Sequence, residues 1–284
     1  MEKNKDITIN GTTIGAGKRE SIAIPVADLY TSTSLNMPVE VINGRRKGPV
    51  LFVSAAIHGD ELNGVEIVRR LLRLKSLKSL HGTLIAVPIV NVHGFLDQSR
   101  YLPDRRDLNR SFPGSSKGSI AARLANIFLN EIVKRSDYGL DLHTGAIDRS
   151  NLPQIRGNLD DAKTMELAKA FGVPVIINAS IRDGSLRGCA ASMGMAILTY
   201  EAGEALRFDE VSIRAGLRGV LNVMRSIGML KSKTTSKIKA KSKAKPKKPV
   251  QPPVVARSTS WVRAPASGIV SGKVQLGASV REGQ

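Results

Sequence analysis

The sequence predicts an α/β fold: a mixed, largely parallel sheet flanked by helices, followed by a small all-β C-terminal module that reads as incomplete. Three observations carry this reading. From about residue 50 to residue 227, apolar runs bounded by turn residues alternate with longer amphipathic stretches, as strands and helices do in layered α/β proteins. Several of the short runs are apolar throughout, which suits strands covered on both faces. A stretch of lysines and prolines then separates this body from a glycine-punctuated tail.

The first 45 residues, with apolar-polar alternation at Asp6–Ile9, Glu20–Pro25 and Val39–Ile42, predict an antiparallel β-ribbon leading into the core. Core strands are expected at Val50–Ile57, Thr83–Val90, Tyr138–Leu142, Val173–Asn178 and Ala196–Tyr200. Helical spacing predicts helices over Glu61–Leu74, Ser119–Lys134, Asp160–Phe171, Ser185–Met193 and Phe208–Ile227. The tail, ending RAPASGIVSGKVQLGASVREGQ, has short β-branched pairs separated by glycine, which predicts two or three hairpin strands. Some thirty residues bury too little surface to stand alone, so the tail either packs on the body or belongs to a larger module. The expected organisation is a domain over 1–230, a linker over 231–253 and a partial β-barrel-like module over 254–284.

Charge follows the same division. The 284 residues carry 43 Lys and Arg against 24 Asp and Glu, a formal net charge of +19. Nine of the lysines fall between Lys231 and Pro249, where no acidic residue occurs, so this segment repels itself into an extended linker. Residues 1–230 carry a net charge of only +7. A polylysine run attracts phosphate without specificity, but this one lacks aromatic residues for stacking on bases, which argues against specific nucleic-acid binding. Cys189 is the only cysteine, so no intramolecular disulfide can form; set in a small-residue helix, it is expected to be buried and inert. The opening MEKNKDITIN lacks the apolar run of a signal peptide, and no stretch reaches the ~18 apolar residues of a membrane span. A cytoplasmic protein without membrane partners is expected.

Chemistry concentrates at strand ends. Ile57-His58-Gly59-Asp60-Glu61-Leu62-Asn63-Gly64 lies where the first core strand hands over to a helix, and open α/β sheets collect ligands beyond the carboxyl ends of their strands. With a helix starting near Asp60, His58 and Glu61 would converge on one point, as a His-x-x-Glu pair does on zinc. Taken alone, this segment also reads as a helix cap built on Asp60. Asp141-Leu142-His143-Thr144-Gly145 ends another apolar strand and brings His143 to the same sheet edge. Two His and one Glu make a zinc ligand set that leaves a position open for water, and Asp141 is suited to hold a ligand's second nitrogen. His81 reads as a loop residue, and His93 as a residue near the metal shell but outside it.

A metal-activated water also requires a base. Tyr200-Glu201-Ala202-Gly203-Glu204 follows a third apolar strand, placing Glu201 at the same edge in surroundings expected to be apolar; the alternative is that Glu201 or Glu204 caps the next helix. Between the two ligand segments runs an Arg-rich stretch from Arg100 to Gly114, a long loop of the kind that carries function, with Arg105 and Arg106 read as solvated charge. Other mechanisms lack support. No G-x-S-x-G elbow occurs, and Gly11…Gly17-Lys18 has the wrong glycine spacing for a phosphate loop, with Arg19 where a Ser or Thr is required.

Four motifs in order, HGDELNG, DLNRSFPG, DLHTG and TYEAGE, closely resemble the succinylglutamate desuccinylase/aspartoacylase family, relatives of the zinc carboxypeptidases. The resemblance implies one Zn2+ per chain held by His58, Glu61 and His143, with Glu201 as general base. It further implies that Asn109 and Arg110 bind a substrate carboxylate. Arg100 looks like the family's carbonyl-polarising arginine, with spacing that differs by a couple of residues. Arg187, in SLRG, is similar to a further substrate-binding arginine, although its spacing to Glu201 departs from aspartoacylase. The implied activity is deacylation of an N-acyl amino acid or related small carboxylate. A zinc carboxypeptidase, an esterase or a non-catalytic binding protein of the same fold are the alternatives. The tail resembles the family's β-barrel-like C-terminal module, which is itself reminiscent of biotinyl and lipoyl domains. Lys273 lacks the flanking residues of a modified carrier lysine and reads as a surface residue. The module reads as a lid or an oligomer contact, which leaves a homo-oligomer open.

Overall fold

The computed structural model describes residues 2–232, 252–269, 271–272 and 274–282. Most of the Lys-rich segment read as a linker, and Lys273, lie outside the described residues. The chain opens with a hairpin of β1 (Ile7–Ile9) and β2 (Thr12–Ile14) and an antiparallel ribbon of β3 (Arg19–Asp28) and β4 (Ser34–Asn43). The core follows as β5 (Arg46–Ala55), α1 (Asn63–Leu72), β6 (His81–Val87), α2 (Val92–Leu96), α3 (Ile120–Glu131) and β7 (Tyr138–Gly145). Then come β8 (Asn151–Gly157), α4 (Ala162–Phe171), β9 (Val175–Asn178), α5 (Leu186–Ser192), β10 (Ala196–Glu204), α6 (Glu210–Ser226) and β11 (Val254–Ala256).

Nine strands form one sheet in the order β11-β9-β8-β10-β7-β5-β6-β4-β3. The four strands β10, β7, β5 and β6 run parallel, whereas β4, β3 and the β8/β10 pair introduce antiparallel neighbours. The sheet is therefore mixed, as expected. The chain leaves β5 for β6 on one side and returns to β7 on the other side of β5. Such a reversal opens a crevice at the carboxyl ends of the two strands, where a site can form.

Helices cover both faces because the central strands are apolar on both. On one face, Ile67, Val68 and Leu71 of α1 join Ile213, Val220 and Val223 of α6 in a core completed by Phe171, whose ring stacks on Tyr200 at 5.1 Å. Gly219 of α6 lies against Phe171 so closely that an added Cβ would sit 2.0 Å from its ring. On the other face, Phe128 of α3 meets Phe52 edge-on at 6.0 Å, with Phe112 and Ile197 beside them.

Several boundaries shift in ways that matter for function. α1 begins at Asn63 rather than near Asp60, and its N-cap position, Leu62, makes no side-chain capping bond. Asp60 does not cap: its buried Oδ1 has no hydrogen-bond partner. β7 and β10 run on to Gly145 and Glu204, so His143 and Glu201 lie within strands rather than after them. His81 opens β6 instead of occupying a loop. β8 carries no strand signal because Pro153 interrupts it. Pro153 falls where the β10 register shifts and before pairing with β9 begins at Gln154, so its missing N–H is not needed.

Among the described residues of the tail, Val254–Ala256 is the one strand, and it extends the main sheet in parallel on β9. The hairpins expected there do not form among these residues; single β-branched pairs between glycines satisfy a strand pattern without supplying a partner strand. No helix among the described residues is long and apolar enough to cross a membrane.

Candidate metal centre and active site

His58 and Glu61 sit in the tight connection between β5 and α1, in which the Glu61 N–H donates to the His58 carbonyl at 3.2 Å. They converge through this turn, not across a helix face. His143 arrives from β7, the parallel neighbour of β5. Its Nδ1 lies 2.8 Å from Glu61 Oε2, and His58 Nδ1 lies 2.7 Å from Glu61 Oε1. All three side chains are buried, and their ligand atoms lie within 4.8 Å of one another.

The other ring nitrogens are held as firmly. His143 Nε2 meets Asp141 Oδ2 at 2.6 Å, and Asp141 Oδ1 accepts from the Ser54 hydroxyl at 2.8 Å. His58 Nε2 meets Asp107 Oδ1 at 3.2 Å, and Arg100 donates to Asp107 Oδ2 at 3.0 Å. Each imidazole thus turns Nδ1 toward the shared carboxylate and Nε2 toward a carboxylate of its own, the second-partner pattern of metal-binding histidines.

Electrostatics point the same way. Burial alone would lower His58, but Glu61 and Asp107 outweigh it and raise its pKa. Burial also works against a charged His143, yet Asp141 and Glu61 hold it well above the ordinary imidazole value. Burial would raise Glu61, whereas the two imidazoles draw it far below the usual carboxylate range. Asp107, opposed by burial, is likewise drawn down by His58 and Arg100. A buried cluster that so favours positive charge, with two nitrogens and a carboxylate as donors, fits a divalent cation with zinc's taste for mixed nitrogen and oxygen ligands.

A cavity of about 880 Å³ opens from this cluster. Glu201 lines it from β10, beside His143 in the parallel register. Gly203, at φ +73°, sits where the register of β10 shifts; an added Cβ would meet Asn63 Nδ2 at 2.6 Å. Asn63 ties the start of α1 to this bend by donating to Ala202 O at 3.2 Å and accepting from Asp209 N at 2.9 Å. The surroundings of Glu201 are polar, not apolar as expected. Its Oε2 accepts from Asn151 at 2.9 Å, and Arg156 lies 3.6 Å away, both on the unforeseen β8.

Arg100, Asn109, Arg110 and Arg187 all line the same cavity. Arg100 lies 3.6 Å from Glu61 Oε1. Asn109 Oδ1 accepts from Leu186 N at 2.9 Å, and Phe112 N donates to Gly184 O at 2.9 Å, so the Arg-rich loop is pinned to the start of α5. Arg110 donates to the Asn109 carbonyl. Arg187 is committed to the wall itself, donating to Ala179 O at 2.8 Å and Ser180 O at 2.6 Å. Arg105 and Arg106 are exposed, in keeping with solvated charge. His93 stands outside the cluster, in α2, with a buried Nε2 that finds no partner. Cys189 is half-buried, and burial pushes its thiol up.

Asp107 carried no assignment from sequence although it stands in DLNRSFPG, next to Leu108 and two residues before Asn109; its place in the motif was the available signal. Arg149, Asn151, Arg257 and Trp261, which also line the cavity, gave none.

A mixed sheet whose central parallel strands deliver a His–Glu–His set to their carboxyl ends defines a zinc-peptidase-like α/β protein. Within that class, the succinylglutamate desuccinylase/aspartoacylase catalytic domain matches residues 47–227, and the chain belongs to this family of deacylases. It is 35% identical over 147 residues to the N-alpha-acetyl-L-2,4-diaminobutyric acid deacetylase of Halomonas elongata. That alignment covers 50% of this chain and 43% of the relative, so the shared stretch spans less than half of the relative's length. Among solved structures, a succinylglutamate desuccinylase/aspartoacylase from Rhodobacter sphaeroides is 27% identical with a TM-score of 0.69, over 75% of this chain and 67% of that one. The product-bound ectoine utilization protein EutE (DoeB) from Ruegeria pomeroyi is 26% identical with a TM-score of 0.70, over 76% of this chain and 69% of that one.

Proposed function

We propose that this chain is a zinc-dependent hydrolase that deacylates an N-acyl amino acid or a related small carboxylate. The observation that carries the reading is the buried meeting of His58, Glu61 and His143 at one cavity with Glu201 and several arginines. When bound by His58, Glu61 and His143, zinc supplies Lewis acidity to the scissile carbonyl and acidifies water.

The remaining work falls to the chain. Glu201 accepts a proton from the attacking water and returns it to the leaving nitrogen. Both of its amide hydrogen bonds, from Asn151 and Gln154, fall on Oε2, which leaves Oε1 to act as the proton acceptor. Arg100 offers its guanidinium to the carbonyl oxygen as negative charge grows there. Asn109 and Arg110 hold the substrate carboxylate; among the described residues Arg110 has no carboxylate partner of its own. Arg187 shapes the wall that the substrate lies against. The relative from Halomonas elongata, which by name removes an acetyl group from an amino acid, supports the choice of an N-acyl bond.

The test is hydrolysis by the purified full chain of a panel of N-acyl amino acids, with metal content measured in parallel. Release of free amine that stops with chelator and returns with zinc is expected. Turnover indifferent to chelator, or no release from any member by zinc-loaded protein, overturns the reading.

A further inference from the structure

Behind Arg187 lies a second cavity of about 240 Å³. Its walls are Asp161 and Thr164 at the start of α4, Ala191 of α5, and Gly194, Met195 and Ile197 around the start of β10. Asn158 and Arg187 line both cavities, so these two residues form the partition between them. The floor is common as well. Glu201 and Thr199 of β10 line the larger cavity, and Ile197 lines the smaller. Alternate residues of a strand share one face, and the step from Glu201 to Ile197 covers about 13 Å at about 3.3 Å per residue. The far end is open: Asp161 and Gly194 are exposed, and a Cβ added to Gly194 would meet nothing within 4 Å. The tail narrows the near end. There the ring of Trp261 lies 5.7 Å from the guanidinium carbon of Arg149, and Asp160 fixes Arg257 at 2.6 Å, with all four residues lining the larger cavity.

We infer that the two cavities are one passage along α5, and that the small carboxylate made from the acyl group leaves through it while the amino-acid product leaves by the front. This rests on the hydrolase reading. Hydrolysis breaks the C–N bond, adds the water oxygen to the acyl carbon and passes a proton to the nitrogen, so a small anion forms beside an amine. With the amino acid still held by Asn109 and Arg110, a rear outlet lets the anion depart first. Arg187 is placed to draw it in. Its hydrogen bonds go to the neutral carbonyls of Ala179 and Ser180, and among the described residues it has no carboxylate partner. Burial and the neighbouring Arg156 work against its charge, a cost that a passing anion relieves. At the outlet the Asp161 carboxylate, which accepts from Thr164 N at 2.7 Å and from Thr164 Oγ1 at 2.6 Å, offsets that pull, so the anion is not trapped.

Ala191→Trp fills the smaller cavity from α5 without touching a group of the proposed active site, and Ala191→Leu fills it less. Both are assayed as zinc-loaded full chains on N-acetyl amino acids, with zinc content measured alongside. Ala191→Trp should lower kcat about tenfold or more with kcat/KM unchanged, because release then limits turnover, and a burst of free amine should precede the slow phase. Ala191→Leu should fall between this variant and the unsubstituted chain. Unchanged kcat in both variants, or kcat and kcat/KM falling together in both, overturns the passage. A second measurement does not depend on turnover. The carbon resonance of isotope-labelled acetate should broaden on addition of the chelator-treated unsubstituted chain, and most of that broadening should be lost with Ala191→Trp; equal broadening by the two chains overturns the passage. No turnover by the unsubstituted zinc-loaded chain, with broadening that Ala191→Trp removes, would retire the hydrolase reading and retain a passage for small carboxylates. Turnover that neither variant alters would do the reverse.

Discussion

At the carboxyl ends of β5 and β7, His58, Glu61 and His143 are already matched to one another. Glu61 lies between two imidazoles, each imidazole has a second carboxylate, and His58, Glu61 and His143 are no more than 5% exposed. One strand further along, on β10, Glu201 is one-fifth exposed and is bonded to amides, with an arginine at 3.6 Å. The groups proposed to hold the cation are locked by burial and by mutual hydrogen bonds. The group proposed to take up and release a proton stays near solvent, among two amides and an arginine. Position in the sheet is nearly the same, since Glu201 stands beside His143; the packing around each group separates their roles.

The sharpest way to break this contrast is Glu61→Ala. It removes the anion that both imidazoles face, and stoichiometric zinc should be lost with all activity, as read by metal analysis of the purified protein. Zinc retained at one per chain would show that the cluster is not the metal site. Glu201→Gln should spare zinc content and lower kcat by about 10²–10⁴-fold, the usual contribution of a general base. Comparable activity in this variant would move the proton-transfer role elsewhere. Asp141→Asn acts one layer further out. Weaker orientation of His143 should reduce zinc affinity by about 10–100-fold in competition with a chelator of known affinity, and an unchanged affinity would mean that Asp141 does not position the ligand. The smallest effect on the site should come from Gly219→Ala, on the face opposite α3. Crowding Phe171 should cost about 1–3 kcal/mol in urea unfolding with zinc content unchanged. A loss of zinc there would show that the two regions are coupled.

Much of the fold was legible because apolar runs and amphipathic stretches alternate in order. The strands at Val50, Thr83, Tyr138 and Ala196 and the helices that cover them follow from that periodicity. The convergence of His58, Glu61 and His143 was legible too, since each falls near the carboxyl end of a core strand. β8 was hidden by Pro153 and by its polar residues, which is why Asn151 and Arg156 were missed and why Glu201 was given the wrong surroundings. The start of α1 was misplaced because Asp60 looks like a cap in sequence, whereas in the fold it lies buried in the turn. Arg149 and Trp261 stand 112 positions apart, and no local pattern announces that they meet.

The three-residue strand β11 has one more consequence. With it in place, the backbone groups of Val175–Ile177 on that side are satisfied within the chain. Trimming the protein after α6 would move the edge of the sheet from the three residues of β11 to β9, offering the unsatisfied amides and carbonyls of Val175–Ile177 to any extended segment of another molecule. The tail's first residues thus serve as a hem over β9, leaving a three-residue strand as the outermost border.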